Sequence, residues 1–129
     1  MQIVDKVQDY ITENTTLYAM LSFELLPSAN EALAIRQDPS SATEVEYIDR
    51  SRSGSFNFTV YAKSLSMVKA VNQLHAIEDI LDLPNGIKFD ADLEFSKVEI
   101  VSPAYWIEKT VANEYIYCST FKLSYNAWR

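Results

Sequence analysis

The chain has 129 residues, a length that suits one domain built around one hydrophobic core. It carries 18 acidic and 11 basic residues, which gives a formal net charge of −7, and its basic residues are scattered along the sequence. Proteins that grip nucleic acid rely on clustered Lys and Arg to neutralise phosphates. The charge balance therefore argues against stable nucleic-acid binding.

The cysteine content and the hydropathy of the sequence indicate in which cellular compartment the protein is made. Cys118 is the single cysteine, so neither an intrachain disulfide nor a metal site built from several cysteines can form. Residues 1–5 lack the basic start and apolar run of a signal peptide, and the apolar run near residues 17–26 is too short to span a bilayer. We expect a protein that is intracellular when made and has no membrane association.

In chain order, the pattern predicts one helix followed by three short strands. Residues 2–13 repeat apolar side chains at helical spacing. Residues 17–26 form a short apolar run that favours a strand. Residues 32–37 and 44–49 alternate as a second and a third strand, and residues 38–41 have the composition of a turn.

The strongest signal lies in residues 55–83, where a strand pattern is followed directly by a helix pattern. After a polar turn at residues 50–55, four apolar residues alternate with polar ones: Phe56, Phe58, Val60 and Ala62. Apolar residues then recur three or four apart, as on one face of a helix: Met67, Val71, Leu74, Ile77 and Leu81. Ser64 or Ser66 is the predicted cap of this helix, and residues 84–86 are predicted to end it. Because each element needs the apolar face of the other, we expect the helix to pack on the strand.

The last third of the chain reads as extended segments. Residues 95–101 and 105–110 are predicted strands separated by Ser102 and Pro103, and residues 111–114 form a turn. Residues 115–125 alternate over a length typical of a central strand, and residues 126–129 are a predicted tail. Short connections favour antiparallel neighbours. The predicted fold is a single α+β domain over residues 1–129: an antiparallel or mixed sheet, an N-terminal helix, and one long amphipathic helix packed on the sheet.

Candidate catalytic and metal-binding residues are few. Nothing in the sequence places a nucleophile or an orienting group beside His75, which is predicted to be a helix-surface or half-buried residue. Cys118 lies within a strand pattern, where a free cysteine acts as a small apolar residue. Asp90, Asp92 and Glu94 alternate as calcium ligands can, but the glycine and bidentate glutamate of an EF-hand are missing, so a solvated strand face is the preferred interpretation. We therefore predict no catalytic residue, no metal and no cofactor, with a small hydrolase or metal-dependent enzyme as the less favoured alternative.

Several runs of sequence carry a family resemblance that extends over about the whole chain. These are Leu-Leu-Pro at 25–27, Ala-Ile-Arg-Gln-Asp-Pro at 34–39, Phe-Asn-Phe-Thr-Val-Tyr-Ala-Lys-Ser at 56–64, the helix positions Ala70, Leu74, Ile77 and Leu81, and Tyr-Ile-Tyr-Cys-Ser-Thr-Phe-Lys-Leu-Ser-Tyr at 115–125. Together they resemble the small minor capsid and tail-terminator-like proteins of long-tailed bacteriophages. The sequence differs from this pattern at Ala62-Lys63, where many relatives are expected to have an arginine.

The resemblance implies a structural protein of the virion. Proteins of this family form a ring, commonly of six copies, that caps the tail tube and joins it to the head connector. The implied partners are further copies of the chain, the major tail tube protein and the connector proteins of the neck, and DNA passes through the ring without stable binding. The implied location is the tail–neck junction, with the host cytoplasm during assembly. Two alternatives stay open: another neck or minor capsid protein, and a generic α+β protein-binding module.

A ring of this kind requires two surfaces, for which the sequence offers candidates. A closed ring needs a heterologous interface between subunits, and Arg and aromatic side chains are favoured as anchors. The candidate interface residues are Arg50, Arg52, Trp128 and Arg129. A channel for DNA needs a wall that does not attract phosphate. The candidate channel-lining residues are Asp38, Glu44, Glu46 and Asp49, and the alternative is that these carboxylates only solvate an outer face.

Overall fold

A computed structural model describes residues 3–23, 26, 29–37, 43–46, 51–82, 87–90 and 93–128. Two helices and seven strands follow one another in these residues: α1 (Ile3–Asn14), β1 (Leu21–Phe23), β2 (Ala32–Gln37), β3 (Thr43–Glu46), β4 (Ser51–Ser64), α2 (Met67–Leu81), β5 (Ile87–Asp90), β6 (Leu93–Lys109) and β7 (Tyr115–Trp128). This composition confirms the predicted α+β class. None of the helices in the described residues is long and apolar enough to cross a membrane.

The strands form one mixed sheet. Its order is β1-β2-β4-β7-β6-β5, and β3 pairs with β4. β1 runs parallel to β2, and the other pairs are antiparallel. β7 lies between β4 and β6, so the prediction of a central strand at residues 115–125 is confirmed.

One hydrophobic core joins both helices to the sheet. α2 packs against β4, β6 and β7, while α1 packs against α2 and β2. The rings of Phe58 and Phe121 stack at the centre, with their centroids 5.2 Å apart. The alternating residues of β4 and the helical stripe of α2 meet in this core, as predicted: Phe56, Phe58, Val60 and Ala62 from the strand and Leu74, Ile77 and Leu81 from the helix.

The start of α2 confirms one of the two predicted caps and corrects the predicted stripe. Ser66 is the N-cap, with φ −115° and ψ 122°, and its hydroxyl accepts a hydrogen bond from the Lys69 N–H at 3.4 Å. Met67 was predicted to belong to the core, but 47% of it is exposed, because the buried face begins one turn later at Ala70. Residues 84–86, predicted to end the helix, lie outside the described residues.

Two segments that were predicted to be irregular are strands. Residues 51–55, predicted as a turn, belong to β4, and residues 126–128, predicted as a tail, belong to β7. The two segments pair with each other, Ser51 opposite Trp128 and Ser53 opposite Asn126. Each therefore supplies the backbone hydrogen-bond partners that the other needs, although neither carries an alternating apolar pattern.

Among the described residues of the apolar run at 17–26, those that form a strand are Leu21–Phe23. The residues before it pack on α2 instead: the Tyr18 N–H donates to Gln73 Oε1 at 2.9 Å, and Gln73 Nε2 donates to the Thr16 carbonyl at 3.1 Å. The Tyr18 hydroxyl donates to the Lys63 carbonyl at 2.9 Å, and burial raises the pKa of Tyr18 well above its usual range. The third strand is Thr43–Glu46, and residues 47–49, also predicted in it, lie outside the described residues.

The two extended segments predicted after residue 93 form one long strand, β6. Its register with β7 shifts between Ser102 and Tyr105, where the sequence predicted a break. The predicted turn at residues 111–114 is confirmed, since the Thr110 N–H donates to the Glu114 carbonyl at 2.8 Å. Asn113 has a φ of 64°, a left-handed conformation that asparagine tolerates better than most residues.

Candidate functional site

Half of the predicted surface residues come together at one end of the sheet. β3 and the first residues of β4 form an antiparallel pair, which the last residues of β7 extend on the other side. The register places Glu44 opposite Gly54, Glu46 opposite Arg52, Arg52 opposite Ala127, and Trp128 opposite Ser51. The structure thus brings two predicted channel residues and two predicted interface residues onto three neighbouring strands.

The other half lie outside the described residues: Asp38, Asp49, Arg50 and Arg129. Their neighbours in sequence are placed. β2 and β3 both pair with β4, and both are antiparallel to it. Gln37 lies opposite Phe58, and Thr43 lies opposite Ser55. Residues 38–42 connect these two paired segments, and residues 47–50 connect β3 to β4. In sequence, Asp38 directly follows β2, and Asp49 lies between β3 and β4.

A buried carboxylate, which the sequence patterns did not indicate, holds α2 on the sheet. Glu78 is 7% exposed. Its Oε2 accepts hydrogen bonds from the Ser119 hydroxyl at 2.7 Å and from the Ala104 N–H at 2.9 Å. The Ala104 N–H therefore bonds to the helix within the interval, Ser102 to Tyr105, where the register of β6 with β7 shifts. The sequence does contain a signal for this contact. Glu78 lies four residues after Leu74, on the same face of α2 as the apolar stripe.

A second buried polar contact lies at the opposite end of the sheet from the β3–β4 pair. Lys63 Nζ and Glu114 Oε2 are 3.8 Å apart, with both side chains about nine-tenths buried. Glu114 Oε1 also accepts a hydrogen bond from the Thr110 hydroxyl at 2.9 Å. This contact joins the end of β4 to the β6–β7 turn.

The candidate catalytic residues do not cluster. His75 is exposed on α2, and Cys118 is buried in β7, as their patterns predicted. A hydrogen bond with Cys118 raises the pKa of Tyr105. Within the described residues, no group of three His, Cys, Asp or Glu side chains is placed to hold a metal ion. Of the alternating carboxylates, Glu94 accepts a hydrogen bond from Asn126 Nδ2 at 3.3 Å, and Asp92 lies outside the described part of the chain.

Two groups of exposed apolar side chains were not anticipated as surfaces. The first, which we call the α2 patch, consists of Leu65, Met67 and Val68, next to or within the first turn of α2. The second, the β6 patch, consists of Val101, Tyr105, Trp106 and Ile107. Val68 is 67% exposed and Trp106 is 57% exposed. Tyr105 lies opposite Cys118 and Trp106 lies opposite Tyr117 in β7, so these two exposed rings lie on opposite faces of the sheet.

Comparison with known proteins adds a structural relative. No family model matches the sequence, and no curated protein matches it. Among solved structures, a chain of the virion of a native gene transfer agent particle has a TM-score of 0.60 with this protein. The match covers 94% of this chain and 84% of that chain, at 9% sequence identity. At this identity the likeness concerns the fold.

Proposed function

We propose that this protein is a structural subunit of a bacteriophage-like virion. More specifically, we propose a tail terminator or head–tail joining subunit, which forms a ring of six copies between the tail tube and the head connector. The observation that carries the proposal is the fold shared with a chain of a gene transfer agent virion across 94% of the sequence. The sequence runs that resemble tail-terminator-like proteins support the same role, which needs no catalytic residue and no cofactor.

Electron microscopy of purified particles tests this role. A gold-labelled antibody against the protein should mark the junction of head and tail, and particles that lack the protein should separate into heads and uncapped tails. Label elsewhere in the neck or on the capsid would favour the alternative of another neck or minor capsid protein. Absence of the protein from purified particles would contradict the virion role altogether.

The acidic residues of the β3–β4 pair suit the wall of a DNA channel. Glu44 and Glu46 lie in β3. In sequence, Asp38 directly follows β2, and Asp49 lies between β3 and β4. A basic wall would bind DNA through release of counterions, whereas a carboxylate wall repels the phosphates and leaves the DNA mobile. We propose that these four carboxylates face the lumen of the ring.

Charge reversal at the hairpin tests the channel. Particles with Glu44, Glu46 and Asp49 replaced by lysine should assemble intact tails and eject DNA more slowly than wild type. A matched control replaces three other acidic residues, the exposed Glu13, Asp79 and Asp82, by lysine, so that the net charge changes equally. If both variants eject DNA normally, the carboxylates do not line the lumen, and the ring itself is unaffected by that result.

Two of the predicted interface residues, Arg52 and Trp128, also lie at this end of the sheet. Arg52 and Trp128 lie on adjacent strands, and Arg50 and Arg129 flank them in sequence. Deletion of residues 126–129 is an unsuitable test, since it would remove strand pairing between β7 and both β4 and β6. Substitution of Arg52 and Trp128 by alanine should instead weaken association between subunits while each subunit stays folded. Lys122→Ala, on the same strand as Trp128, is the control and should leave association unchanged.

A further inference from the structure

The segment that joins α1 to β1 has little backbone pairing of its own. Residues 15–20, which we call the strap, contain neither helix nor strand. The strap leads into β1, which is three residues long and runs parallel to β2 at the edge of the sheet. Parallel pairing is slightly less stable per residue than antiparallel pairing. Strand pairing therefore contributes little to holding this part of the chain in place.

Grooves lie on both sides of the strap. One has a volume of about 500 Å³ and lies between the strap and α1, with Gln8 and Thr12 among its lining residues. The other has a volume of about 530 Å³ and lies between the strap and α2, with Val68 and Asn72 among its lining residues. Protein interiors have few voids larger than a water molecule. The strap thus meets each helix along an open groove and lacks the close packing of the core.

Two side chains fasten the strap to the rest of the molecule. Gln73 of α2 is 7% exposed; its Oε1 accepts from the Tyr18 N–H at 2.9 Å, and its Nε2 donates to the Thr16 carbonyl at 3.1 Å. The Tyr18 hydroxyl donates to the Lys63 carbonyl at 2.9 Å, and Lys69 Nζ lies 5.1 Å from the centroid of the Tyr18 ring. Hydrogen bonds depend steeply on distance and angle, so a small displacement of the strap breaks these bonds together.

Both ends of this region are anchored, and one buried side chain opposes its movement. At the start, the Thr15 N–H donates to the carbonyl of the fully buried Ile11 at 3.2 Å. Glu31, which directly precedes β2, accepts hydrogen bonds from Ser64 and Lys69. Between these anchors, Leu21 is 3% exposed and belongs to the core, so the closed position is favoured. Residues 16–23 can therefore move between two fixed points while α1 and α2 stay on the sheet.

We propose that the strap and β1 open as one unit when the contacts of Gln73 and Tyr18 break. In the open state, Leu33–Ile35 of β2 lose their pairing with β1, and the two grooves join into one trough between the helices. Local openings of this kind occur in contiguous segments with few buried contacts and need less free energy than global unfolding. An unpaired sheet edge is the place where another strand can add. β1 is thus a removable cover of the β2 edge, and this device is independent of the role proposed for the virion.

Amide hydrogen exchange of the whole chain, followed by NMR, tests the opening. In wild type, the Tyr18 amide and the protected amides of β1 should exchange through one opening event, about tenfold or more often than the amides at the centres of β4 and β7. Gln73→Met removes both hydrogen bonds to the strap and keeps the length of the side chain. It should accelerate exchange about tenfold at Tyr18 and equally in β1. Asn72→Met, at the next position and on the same groove, is the matched control and should leave both rates unchanged.

The amides of β1 decide between an opening unit and a merely local contact, since Gln73 bonds to the strap and not to β1. Acceleration at Tyr18 alone would overturn the proposal, as would β1 amides that exchange only as often as the central strands or that show no protection at all. Acceleration of the α1 amides around Val7 and Ile11 together with β1 would overturn the anchor at Thr15. If circular dichroism shows that Gln73→Met does not fold, Tyr18→Phe takes its place, because it removes only the hydrogen bond to Lys63. It should accelerate exchange in β1 relative to wild type, and an unchanged rate there would equally overturn the proposal.

Discussion

The centre of the α2 interface and its borders hold the helix on the sheet by different means. At the centre, Leu74, Ile77 and Leu81 are at most 1% exposed and lie in the apolar core. At the borders, Gln73 and Glu78 are each 7% exposed and each form two hydrogen bonds to other parts of the chain. Apolar burial is non-directional and drives association of helix and sheet, whereas hydrogen bonds require defined geometry and fix the position of the helix. Substitutions at the centre and at the borders should therefore have effects of different size and kind.

The largest effect is expected at the centre. Leu74→Ala removes a fully buried side chain and leaves a cavity, so we expect it to lower the free energy of unfolding by about 2–5 kcal/mol. Met67→Ala is the matched control from the same predicted stripe. Met67 is 47% exposed, so its loss should cost less than about 0.5 kcal/mol. Urea unfolding measures both values, and equal stability of Leu74→Ala and wild type would show that Leu74 does not lie in the core.

A smaller effect is expected at the border with β6 and β7. Glu78→Ala leaves the Ser119 hydroxyl and the Ala104 N–H without their acceptor, and hydrogen bonds to a charged group contribute about 1.5–3 kcal/mol. Asp79→Ala, at the next and exposed position, is the control and should change stability by less than about 0.5 kcal/mol. Glu78→Gln keeps an acceptor oxygen and should recover part of the loss. If Glu78→Ala matched Asp79→Ala in thermal unfolding, the two hydrogen bonds would contribute nothing to the position of α2.

Sequence patterns predicted the apolar centre and missed most of the polar features, and the reason is physical. Alternation along β4 and β7 and the helical repeat at Leu74 report burial of apolar faces, which recurs at the period of the element. The hydrogen bonds of Glu78 follow no period, since they depend on Ala104 and Ser119, which are distant in sequence. Backbone pairing of polar strand ends, such as residues 51–55 with residues 124–128, leaves no apolar signal either.

The predicted surface residues illustrate the same limit. Glu44, Glu46, Arg52 and Trp128 were chosen separately, for charge or aromatic character, and the structure places them on neighbouring strands. The two apolar patches were not predicted as surfaces, because apolar residues within a strand or helix pattern are predicted to be buried in the core. Met67 shows this directly: it has the correct spacing for the stripe, but it precedes the part of α2 that covers the sheet.

The smallest effect on stability is expected at the exposed start of α2. There the contact is a partly exposed ion pair, and neither apolar burial nor a buried hydrogen bond. Lys69 Nζ donates to Glu31 Oε1 at 2.8 Å, and Ser64 donates to Glu31 Oε2 at 3.2 Å. The hydrogen bond from Lys69, followed by that from Ser64, holds the pKa of Glu31 below its ordinary value of 4.5. A carboxylate with a lowered pKa in the folded state stabilises the protein above the pKa of the unfolded chain, and this contribution is lost as pH falls through the folded pKa.

The pH dependence of the Glu31→Gln substitution tests this border contact. We expect the difference in free energy of unfolding between wild type and Glu31→Gln to be constant from pH 7 down to about 4.5, and to decrease as the pH falls further. The same substitution in a Lys69→Met background, where the ammonium is missing, should show a much weaker pH dependence. Added salt should also reduce the effect, because both side chains are partly exposed to solvent. A difference that does not change between pH 7 and pH 3 would show that Lys69 does not stabilise the ionised form of Glu31, and the start of α2 would then depend on the Ser66 cap and on packing alone.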